Sequence, residues 1–128
     1  MKKALKALVA LTLLGASSAL MASDLETDMD TIASNYKTVL KTDSVDTLKL
    51  SLENMRAAAV SAEKGTPSKL KGKAHDSAEM KDFRQGMTTL IGQIDQSLAL
   101  ANQGKLEEAR KVAQDFKQTR DTNHKKFR

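Results

Sequence analysis

Two histidines, six methionines and no cysteine make up the soft and borderline donor groups of this 128-residue chain. Without a thiol there is no disulfide framework, no Cys-ligated zinc or iron–sulfur centre, no thiol nucleophile and no C-x-x-C-H attachment for a c-type haem. Met29 and His124 stand out by position, one near the start of the first amphipathic segment and the other near the end of the last. A thioether and an imidazole on facing helices can take the two axial positions of one haem iron from opposite sides, without covalent attachment. Both residues also have plainer roles. A methionine on a helix stripe is ordinary flexible core filler, and a histidine in a last turn complements the negative end of the helix dipole. The elements that position the pair decide between these roles.

Apolar residues at Leu25, Met29, Ile32, Tyr36, Val39 and Leu40 recur in steps of three and four and trace one face of a first helix. Asp24 can cap it, Glu26, Asp28 and Asp30 suit its positive end, and Lys41 sits near its negative end. After Thr42-Asp43-Ser44 the same spacing returns at Val45, Leu48, Leu52, Met55, Ala59 and Ala62, a second helix closed by Gly65 and Pro67. Thr66 to Asp76 is rich in Thr, Pro, Ser, Lys, Gly and His and reads as the longest loop. Ser77, Met80, Phe83, Met87, Leu90, Ile91, Ile94, Leu98 and Ala101 give a third helix that should stop at Gly104. The fourth runs through Leu106, Ala109, Val112, Ala113 and Phe116, then less cleanly through Arg120, Asn123, His124 and Phe127.

Aromatic residues are only 3% of the chain, too few for a sandwich or barrel, so the expected fold is all-α. Four amphipathic helices with mostly short joints bury their stripes as an up-down-up-down antiparallel four-helix bundle. That topology places the start of helix one and the end of helix four at the same end. Met29 and His124 therefore come together there, on the continuation of the stripe through Val112, Phe116 and Arg120.

The first residues have the order of a secretory leader: basic Met1 to Lys6, apolar Ala7 to Gly15, then small residues to Ala22. The apolar stretch falls short of the roughly 20 residues needed to span a bilayer. Residues 1–22 are expected to be a cleaved signal peptide, with cleavage after Ala19 as an alternative, and residues 23–128 to form one domain in the periplasm. All three leader charges are lysines, so their removal lowers the balance from 21 basic and 16 acidic residues to 18 and 16, a net charge of +2. Basic residues are interspersed with carboxylates and lack stacking aromatics, which argues against nucleic acid. The clusters Lys69-Lys71-Lys73 and Lys125-Lys126-Arg128 read as a solvated loop and a solvated tail. No stable membrane association is expected after cleavage, and polar outer faces suit a monomer.

The segment Asp24-Leu25-Glu26 with Met29, the runs Asn54 to Ala59, Glu79 to Arg84 and Gly92 to Asp95, and the ending Thr119-Arg120, His124 and Phe127-Arg128 closely resemble the soluble periplasmic cytochrome b562 family. That family is itself an up-down-up-down bundle, so its agreement with the expected architecture is not independent. The resemblance implies one non-covalent b-type haem (protoporphyrin IX iron) per chain, with Met29 and His124 as its ligands. It also implies that Arg120 neighbours a propionate and that Phe83 packs on the macrocycle. Two positions depart from the best-known member: Asn123 replaces a tyrosine and Met87 an aromatic residue, changes that bear on packing around the ring rather than on a ligand.

The implied function is electron transfer between an unidentified periplasmic donor and acceptor, with no catalytic residues and no enzyme activity. The rivals are a haem-free helical binding or chaperone-like protein of the envelope, and a divalent-metal carrier using His124 or His75. A single imidazole without clustered carboxylates is a poor metal site. His75, beside Asp76 in the polar loop, reads as a surface histidine.

Overall fold

The computed structural model describes residues 25–127. The leader, the Asp24 cap and Arg128 lie outside the described residues. Helix α1 spans Leu25–Lys41, α2 Val45–Glu63, α3 Ala78–Asn102, α4 Leu106–Ala113 and α5 Asp115–Phe127. Local chemistry sets most of these limits. Ser44 and Ser77 are N-caps whose hydroxyls accept from the N–H of Thr47 and Met80, each at 3.2 Å. Gly104 takes φ +79°, the left-handed turn that ends α3 where the sequence placed its stop.

The expected fourth helix is present as two segments. Gln114 between them keeps right-handed helical dihedrals, φ −62° and ψ −24°, so α4 and α5 continue as one rod with a tightened turn at the joint. There the Gln114 N–H is shared between the Arg110 and Lys111 carbonyls at 3.1 and 3.2 Å, as happens where a helix narrows toward 3₁₀ geometry. The long loop is more than a solvated connection. It contains a 3₁₀ turn, Ser68–Leu70, which packs against α5 and buries Leu70.

Contacts between helices fix an up-down-up-down register. The Ser61 hydroxyl donates to Asp28 at 2.8 Å and the Asn54 amide to Asn35 at 3.3 Å, pairing the start of α1 with the end of α2. Arg56 grips Asp95, and the Thr88 hydroxyl donates to Glu63 at 2.7 Å, pairing α2 with α3 in reverse. The Ser97 hydroxyl donates to the Ala109 carbonyl at 2.8 Å, and Lys126 reaches Asp82 at 3.3 Å, which runs α4 and α5 back along α3. The stripes expected from the spacing form the core: Ile32, Val39, Leu48, Leu52, Met55, Met87, Leu90, Ile94 and Phe116 are all buried. Among the described residues no helix is long and apolar enough to cross a membrane.

Candidate functional site

The bundle is closed at one end by Arg110 of α4. Its Nη1 donates to the backbone carbonyls of Leu40 and Thr42 at 3.1 and 2.9 Å, pinning the C-terminus of α1. One step further along, Tyr36 of α1 meets Phe116 of α5 with ring centroids 6.1 Å apart. Met29 lies seven residues before Tyr36 and His124 eight after Phe116. In an antiparallel pair that rises 1.5 Å per residue on both sides, the two side chains are carried to the same level.

Neighbours a turn or two away show how each stripe is turned. Met29 and Tyr36, two turns apart, share one stripe of α1, whereas Asp28 and Asn35 point to α2. Arg120 and His124, one turn apart, share one stripe of α5. The Arg120 guanidinium lies over the Tyr36 ring, 5.8 Å from its centroid, a cation–π contact that makes the two stripes face each other. Burial pushes the Tyr36 phenol up, opposed by the cations of Arg120 and Lys117. Lys117 and Arg120 hydrogen-bond Asp121 and hold its carboxyl below the ordinary range.

Along this flank α1 meets α4 at only a few points and α5 at fewer still, a looser seam than the one α1 makes with α2. Met29 is half-buried against the edge of the core, and His124 is exposed. Beside the imidazole is a depression of about 410 Å³ whose described lining residues are Asp121, Thr122, His124 and Lys125 of α5. The deeper wall is apolar: Ile32, Phe83, Met87 and Phe116 are buried, and Phe83 meets Phe127 edge to face at 5.5 Å.

Of the expected site residues, Arg120 lies over Tyr36 of α1, Phe83 is buried in the core, and Met29 and His124 are half-buried and exposed, respectively, at corresponding levels of α1 and α5. These residues fit a haem in donor chemistry and in polarity: a neutral sulfur on α1, an imidazole nitrogen on α5, buried hydrocarbon in the core between, and the cation of Arg120 one turn from the imidazole. His75 lies apart, exposed in the loop before α3. Among the described residues no three His, Cys, Asp or Glu side chains converge on a point that could hold a bare metal ion.

Some contributions escaped sequence reasoning. Tyr36 was legible as a stripe residue but not as the partner of Arg120. Arg110 had no local signature at all. Gly86 had one, an isolated glycine inside a helical pattern, which costs helix stability and calls for a packing reason. The structure supplies that reason: a Cβ on Gly86 would fall within the side-chain amide of Asn123.

Comparison with known proteins identifies the family. The profile of the family described as cytochrome b562 matches residues 24–128. A Yersinia pestis protein named "Probable soluble cytochrome b562 2" is 58% identical over 128 residues, covering all of both chains. A second Yersinia pestis protein, "Probable soluble cytochrome b562 1", is 38% identical over 112 residues, 88% of each chain. The family match runs through every described helix, and the chain belongs to the cytochrome b562 family.

Proposed function

We propose that the protein is a periplasmic electron carrier that holds one non-covalent b-type haem between α1 and α5, with Met29 and His124 as axial ligands. The observation that supports this most is the Arg120–Tyr36 contact, because it turns the stripes of Met29 and His124 toward one another across the slot. When bound, the haem supplies a one-electron ferric–ferrous couple. The protein's own residues do the rest. The Met29 thioether favours the ferrous state relative to a second imidazole and raises the potential. Ile32, Phe83, Met87 and Phe116 exclude water from the interior side, and Arg120 is placed to neutralise a propionate.

Held by the Met29 sulfur and the His124 nitrogen, the iron would have no position open to oxygen, peroxide or substrate. Outer-sphere transfer is therefore favoured over catalysis, and the protein is not an enzyme. Its partners are a redox donor and an acceptor of the same compartment, and the polar outer faces suit a monomer. The leader-like residues 1–22 support periplasmic export.

The test is a visible spectrum of protein purified from the periplasm and supplied with haem, recorded oxidised and then reduced. Sharp reduced b-type bands are expected. His124→Ala should release haem at least about tenfold faster, the usual scale for disturbing metal ligation, while His75→Ala should match the parent. Absence of the bands, or equal retention by both variants, would favour a haem-free helical binding protein in which the exposed His124 is a plain surface group.

A further inference from the structure

The C-terminal helix presents two flanks, and the one that does not carry His124 is docked on α3. Thr119 donates to Gln93 at 2.8 Å, Asn123 lies on Gly86, Lys126 reaches Asp82 at 3.3 Å, and Phe127 meets Phe83. These residues recur at helical spacing and face α3, whereas Arg120 lies over Tyr36 of α1 and the exposed His124 follows one turn later on the same stripe. We propose that the Gly86–Asn123 contact is the rotational stop of α5, and that Asn123 is a positioning residue which holds the neighbouring His124 toward the haem slot. This rests on the ligand role proposed for His124.

Three features single out this contact. A Cβ on Gly86 would overlap the Asn123 carboxamide at all three of its terminal atoms, so the hollow left by the missing side chain is filled by that amide. Gly92, in the same helix, has open space at the corresponding point, so its lack of a side chain serves no such fit. Glycine weakens a helix interior relative to alanine, and only at Gly86 is there a packing return. The flanking polar contacts end on long side chains that can follow a turning helix. The Asn123 amide sits one bond beyond its Cβ and cannot.

The mechanical link is short. Asn123 and His124 are adjacent, so a rotation of α5 moves both. Side-chain tips stand about 5–6 Å from a helix axis. A rotation of about 20° therefore carries the imidazole roughly 2 Å, well outside the ~0.5 Å within which a binding constellation must be held.

A size-swap cycle tests the proposal on the haem-loaded protein. Gly86→Ala overfills the hollow and Asn123→Ala empties it; the double variant restores the volume. Each single change should speed haem transfer to an excess of a tighter-binding apoprotein about tenfold, the scale of outer-shell effects on metal sites. Each should also lower the six-coordinate fraction in the ferric spectrum. The double variant should return to within about threefold of the parent. Gly92→Ala should leave release and spectrum unchanged whatever it does to the melting temperature.

Single variants that melt normally and keep the parent's release rate overturn the proposal, as does a double variant worse than either single. If Gly86→Ala does not fold, Asn123→Ala alone decides: faster release supports the stop, and an unchanged rate refutes it. His124→Ala is run alongside. If it keeps the parent's spectrum and release rate, the ligand assignment falls and takes the positioning role with it, an outcome distinct from failure of the cycle.

Discussion

Arg110→Met tests whether one guanidinium closes the end of the bundle opposite the proposed haem slot. Methionine keeps most of the aliphatic stem and so removes the head group while sparing the packing. The head group's Nη1 donates to the Leu40 and Thr42 carbonyls, one in the last turn of α1 and one just past it, where carbonyls lack helical N–H partners. Its side chain is only 14% exposed, whereas Glu107 and Asp43 beside it are 82% and 98% exposed. The two carboxylate contacts are therefore surface pairs of at most about 1 kcal/mol each. Hydrogen bonds to charged groups contribute about 1.5–3 kcal/mol, and water can partly replace the guanidinium at both carbonyls. The expected loss is about 2–3 kcal/mol in all. For a domain of about 100 residues that lowers the melting temperature by roughly 10–20 °C. In urea it moves the midpoint down by about 1–2 M. Equilibrium urea unfolding followed by far-ultraviolet circular dichroism measures it. Met29 is 11 residues from Leu40, about 16 Å along α1 at the helical rise. The variant should therefore still give the parent's haem spectrum while folded. A loss below about 0.5 kcal/mol, the level of an ordinary surface substitution, would refute the clamp, and a lost haem spectrum in folded protein would refute the separation of the two ends.

Met29→Ala should lower the reduction potential, because it removes the thioether that favours the ferrous state; potentiometric titration reads the shift, and an unchanged midpoint counts against Met29 as ligand. Asp121→Asn addresses the pair of cations that holds this carboxyl below its ordinary value of 3.8. A depressed folded-state pKa contributes stability above the unfolded value and loses it as pH falls through the lowered folded value. The parent should thus be the more stable of the two near neutrality and lose that advantage in acid, with the difference shrinking in high salt because the groups are exposed. Denaturant midpoints across pH check this, and a gap that widens on acidification would reverse the sign.

The sequence carried what neighbours a few residues apart can enforce. The three-and-four spacing from Leu25 to Leu40 specified α1 and its buried face, Ser77 and Gly104 marked the limits of α3, and the absence of cysteine removed whole classes of chemistry. That Met29 and His124 fall at the same end of the bundle was legible only because short joints dictate an alternating topology. Where that logic weakens, the sequence falls silent. Leu70 looked like part of a solvated loop, since nothing local records that the 3₁₀ turn folds onto α5. The narrowing at Gln114 has no proline or glycine to announce it. Arg110 reads as one more surface cation until the carbonyls at the end of α1, some 70 residues earlier, come within reach.

The division follows from the range of the forces. Periodicity, caps and dipole complementarity act within a turn or two, so composition and spacing determined four helices and their apolar stripes. The rotation of each helix about its own axis, and its level against its neighbours, depend on which side chains interlock across the bundle. Only the tertiary structure decided that Arg120 lies over Tyr36 and that Asn123 settles on Gly86, and with them how α5 is turned against α1 and α3.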